Sequence, residues 1–172
     1  MTTRRRAALH RGAALVAMGA LGALGATGLT ACGTSTAAAH PSTTTTTTSQ
    51  TLAQRYTAVV SAGDHRLQAL SIQLSGANGN ITQIQSGFRS VSATYHAVAQ
   101  SVRALPFPAK MQGDVASMVA ALGALSADAT QGSQSVDTSE FNLVFTKLST
   151  DQKAEVAANT TVNHDLGISA IN

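Results

Sequence analysis

Residues 81–105 read ITQIQSGFRSVSATYHAVAQSVRAL, and Ile81, Ile84, Phe88, Val91, Tyr95, Val98, Val102 and Leu105 recur in it at alternating steps of three and four. That spacing keeps the apolar side chains on one stripe of a 3.6-residue helix, whereas a half-buried strand would need them at every second position. The stretch therefore reads as one long amphipathic helix. Asn80 with Gln83 supplies an N-cap pair at its start, and Pro106-Phe107-Pro108 ends it, because proline has no amide to donate.

The same period continues on both sides. Upstream, Leu52, Tyr56, Val60, Gly63, Leu67, Leu70 and Leu74 form a seam that stops at Gly76. Downstream of Pro108, Met111, Val115, Met118, Leu122, Leu125 and Ala129 form a third seam, broken at Gly132-Ser133. A fourth opens with Asp137 and Glu140 in capping-box register and runs through Phe141, Val144, Phe145, Leu148, Val156, Val162 and Leu166 to Gly167. The valines and isoleucines sit in helical register, so no strand is expected. Four helices with short links favour antiparallel neighbours, and the expected fold is all-α, an up-down-up-down four-helix bundle over residues 52–172. Two long helical hairpins completed by a partner chain are the competing layout.

Net charge over the 172 residues is +3, but Arg4, Arg5, Arg6 and Arg11 all lie in the first eleven residues. Without those four, seven basic residues face eight acidic ones, leaving −1. The basic residues that remain are scattered singly, with none of the clustering needed to displace phosphate counterions, so nucleic acid is not an expected partner.

The amino terminus reads as an address. A basic start over residues 1–11 is followed by the glycine-containing apolar run Gly12–Leu29, which ends in Leu29-Thr30-Ala31-Cys32. Those four residues resemble the bacterial lipobox. The resemblance implies a lipoprotein signal peptide over residues 1–31, cleavage after Ala31, diacylglycerol on the Cys32 thiol, and attachment to the outer face of the cytoplasmic membrane. Thr3-Arg4-Arg5-Arg6 also resembles a twin-arginine export signal, although alanines stand where bulky apolar residues are favoured. Residues 32–51 are small and polar, centred on six threonines at 43–48, and should form a mobile tether because they lack apolar surface to offset ordering. As a whole the chain resembles the small helical-bundle lipoproteins of high-GC, actinobacterial species, whose implied partners are the membrane, through the lipid, and a protein or cell-wall component of the envelope.

Cys32 is the only cysteine, which excludes an internal disulfide and a cysteine-based metal cluster. By helical position His65 and His164 point away from their seams, His96 flanks Tyr95, and their heights along a bundle are too dispersed for one metal ion. Met111 with His164 superficially resembles the axial pair of b-type cytochrome bundles, but His164 points outward, and no cofactor is expected. Nucleophile elbows, phosphate loops and zinc-protease motifs are missing from the sequence, and no enzymatic activity is expected.

One stretch breaks the apolar pattern. Gln152, Glu155 and Asn159 share the stripe of Phe141, Leu148 and Leu166, and counting heights sets Glu155 level with Tyr95 and near Tyr56. The expectation is a buried polar layer of Tyr56, Tyr95, Glu155 and Asn159, with Gln152 and His96 at its margin. Such a layer either fixes helix register or holds a small polar ligand.

Overall fold

The computed structural model describes residues 50–168, which are helical apart from short links; Cys32, the signal segment and nearly all of the tether lie outside the described residues. Four helices pack against one another: α1 (Leu52–Ser75), α2 (Ile81–Arg103), α3 (Gln112–Gly132) and α4 (Thr138–Asp165), with a single 3-10 turn at Ala109–Met111 leading into α3. Among the described residues there is no strand. None of these helices is long and apolar enough to cross a membrane.

Each boundary has a local cause. Thr51 caps α1 through a full capping box with Gln54, the Asn80 side chain accepts from the Gln83 amide, and Asp137 accepts from the amides of Ser139 and Glu140. The Glu140 carboxylate reaches back one residue further than a standard box, accepting from the Val136 amide at 2.7 Å. Between α1 and α2 the chain turns through Asn78 and Gly79, both at positive φ, a conformation that glycine adopts without strain and asparagine tolerates.

The core follows the seams. Tyr56, Leu67, Leu74, Phe88, Val91, Tyr95, Val102, Met111, Val115, Met118, Leu122, Leu125, Phe141, Val144, Leu148 and Val162 are all buried. Two expected seam residues depart from it, Ile81 and Val156, which are exposed. Ile81 is the first residue of α2, with no turn before it to be packed against, and Val156 is displaced by about 100° from its neighbour Glu155, which takes the inward position.

α1 packs on α2, α2 on α3 and α3 on α4. The α2–α3 approach is held by small hydroxyl residues: Ser92 donates to the Ser126 carbonyl at 2.9 Å, Ser126 donates to the Ser92 carbonyl at 3.0 Å, and Thr130 joins at 2.8 Å. The α1–α2 approach instead needs a residue without a side chain. A Cβ on Gly63 would stand 2.5 Å from Val98 Cγ2, well inside contact distance. Gly63→Ala should therefore cost about 1–2 kcal/mol despite alanine's better helix propensity, and adding Val98→Ala should recover most of it. Chemical denaturation of both variants checks this; an unchanged Gly63→Ala midpoint would mean that α1 is free to move outward.

The two ends of the body differ. Tyr56 meets Phe107 of the α2–α3 link edge-to-face at 6.0 Å, so the start of α1 lies beside that link. At the far end, Gln85 donates to the Ser135 carbonyl, bringing the start of α2 against the α3–α4 link.

Candidate functional site

The polar residues interrupting the apolar stripe of α4 are buried. Glu155 is only 3% exposed, and Asn159 is buried beside it one turn on. From α1 the buried Tyr56 hydroxyl donates to Asn159 Oδ1 at 2.6 Å, a side-chain bond between the first and last helices. Asn163 also donates to that oxygen from one turn further, at 3.4 Å. Tyr95 supplies a second buried phenol from α2.

The charges explain why these groups form one site. Burial pushes the Glu155 carboxyl up to about 7, and the neighbouring Asp64 charge pushes the same way. Burial alone lifts Asp64 to about 7. Both phenols are held well above their ordinary range, first by burial, then by the Glu155 charge and then by that of Asp64. Asp64 on α1 therefore lies within electrostatic reach of Glu155 and of both phenols.

Among the described residues no Lys or Arg pairs with Glu155 or Asp64; the one contact between a nitrogen base and a carboxylate is the peripheral His164–Asp165 approach at 3.6 Å. Glu155 Oε1 is sealed from solvent without a hydrogen-bond partner. A buried carboxylate in that position is costly when ionised, since neither a countercharge nor a full set of donors replaces its water.

Tyr56, Tyr95, Glu155 and Asn159 are thus buried on α1, α2 and α4, and Gln152 is half-buried. His96 is not part of the layer. It is exposed, because one residue past Tyr95 turns the side chain about 100° toward solvent. His65 and His164 are exposed as well. Asp64 is not marked by the apolar spacing, although it stands about two helical turns after Tyr56 and so flanks the same seam.

Two further features lie elsewhere. On the α3–α4 side, Asp128 is lifted above the usual carboxylate range by burial and by Asp151, and Lys147 partly offsets this. An open groove of about 470 Å³ runs beside the α2–α3 link, lined by Leu105, Phe107, Val115, Val119 and Ala120 with Arg103; neither Glu155 nor Tyr95 borders it. Among the described residues no group of three or more His, Cys, Asp or Glu is placed to hold a metal ion. No known protein family, characterised protein or solved structure matches the chain.

Proposed function

We propose that the chain is a lipid-anchored extracytoplasmic binding protein without catalytic activity, carried on Cys32 at the outer face of the cytoplasmic membrane. Residues 1–31 are its signal peptide, residues 32–51 its tether, and the helical body is an antiparallel bundle whose helices alternate in direction. A diacylglycerol group supplies two acyl chains, enough for stable anchoring where one chain would give only reversible contact. The reading is supported by the order of basic start, apolar run and LTAC at 29–32.

The observation that carries the binding role is the distribution of exposed apolar side chains. Ile72 at 71%, Val136 at 65% and Leu143 at 66% exposure come from the end of α1, the α3–α4 link and the start of α4. With the exposed Ile81 at the start of α2, they belong to the end of the body opposite Thr51, where the tether joins. On an anchored protein that end points away from the lipid, toward a protein or cell-wall component of the envelope.

The Cys32→Ser form tests the anchor. Its helical body should fold as before while the protein leaves the membrane fraction, and a Cys32→Ser protein still processed after Ala31 and still sedimenting with membranes would overturn the reading. A second reading, a small-molecule carrier or sensor, is favoured by one specific observation: the sealed, unpartnered Oε1 of Glu155.

A further inference from the structure

The layer between α1 and α4 gathers oxygens and no positive charge. Glu155 presents one buried oxygen without a partner, and Asp64 stands half-exposed on α1. The Tyr56 hydroxyl spends its proton on Asn159, which leaves the phenol oxygen free to accept. Titratable groups acting on Glu155 and the two phenols come from α1, α2 and α4, namely Tyr56, Asp64, Tyr95 and Glu155; α3 contributes none. α1 packs on α2, α2 on α3 and α3 on α4, and the Tyr56–Asn159 bond ties α1 to α4 beside Glu155.

We infer that this layer is a binding site for a small molecule bearing a primary ammonium group, which enters at the α1–α4 seam past Asp64 and donates its N–H bonds to the oxygens of Glu155, Asp64 and the phenols. The inference rests on the carrier reading and specifies its ligand class. Two observations select an ammonium. The unpartnered group is an acceptor that needs both a donor and a countercharge, which one ammonium supplies together. Two carboxylates are fewer than a metal ion of this oxygen-ligand type usually takes from a protein, and buried phenols that stay protonated make poor ligands.

Thermal unfolding of the full chain, followed by circular dichroism, tests this with methylammonium, ethanolammonium and putrescine against matched sodium chloride, tetramethylammonium, calcium chloride, and neutral and anionic small molecules. At pH 8 at least one primary ammonium should raise Tm by several degrees beyond sodium chloride, and at pH 5, where protons neutralise both carboxyls, the shift should fall at least threefold. Glu155→Gln should abolish the shift. Asp64→Asn, at a half-exposed site that tolerates the change, should weaken apparent affinity about tenfold. Equal shifts with tetramethylammonium or calcium, or an undiminished shift in Glu155→Gln, would overturn the inference. Stabilisation by a neutral or anionic molecule alone overturns the ammonium assignment and leaves the carrier reading standing, whereas no stabilisation by any class overturns both.

Discussion

Raising the pH from 5 to 9 should destabilise the helical body, and Glu155 alone should account for about 3 kcal/mol of the loss. Its carboxyl titrates near 4.5 when solvated and near 7 when folded, because burial and the Asp64 charge both oppose ionisation. Below 4.5 the group is protonated in both states and costs the fold nothing. Between 4.5 and 7 the unfolded chain releases its proton first, and stability falls until the folded group has ionised as well. Asp64 adds to the loss in the same direction, discounted for its partial exposure. The capping carboxylate Asp137, lowered by hydrogen bonds from Ser139 and Glu140, works the opposite way at lower pH. Urea denaturation at pH 5, 7 and 9 isolates the Glu155 part when the Glu155→Gln variant is run beside the wild type. The variant should match the wild type near pH 5 and exceed it at pH 9. A wild type more stable at pH 9 than at pH 5, with no difference from Glu155→Gln, would mean that Glu155 is solvated or paired.

Phe88→Ala should cost about 3–5 kcal/mol, the usual range for removing a fully enclosed ring. Phe88 is completely buried and holds three helices together. It stacks on Phe141 at 5.9 Å, meets Phe145 at 5.3 Å with tilted planes, and fills the space that a Cβ on Gly132 would enter at 2.7 Å from its ring. Neither neighbour can close the gap without moving α3 or α4, so most of the cavity should persist. Leu143→Ala, on the exposed side of the same helix as Phe141, should change stability by under about 0.5 kcal/mol and serves as the control. A Phe88→Ala cost below about 1 kcal/mol would show that the aromatic cluster is loosely packed.

The helices and most of the core were readable from apolar spacing because that spacing reports directly which side of a helix meets its neighbours. The stretch around Phe88 illustrates this, as do Asn80, Asp137 and Thr51, whose chemistry caps helices wherever they stand. Tyr56, Tyr95, Glu155 and Asn159 were legible for the same reason, as polar groups occupying apolar positions. What periodicity does not carry is how helices rotate and approach. It left Asp64 unnoticed beside Gly63, set His96 at the margin of a layer it does not join, and gave no hint that Ser92, Ser126 and Thr130 lock α2 to α3. Those features depend on rotations of a fraction of a helical turn and on backbone separations that only the packed body fixes.

The proposed junction between lipid and protein is Cys32. Intact-mass and peptide mass spectrometry of the protein isolated from its own membranes tests this most directly. A mature chain that starts at Cys32 and carries the added mass of a diacylglycerol on its thiol is expected, and a chain retaining residues 1–31 with an unmodified Cys32 would contradict the proposal.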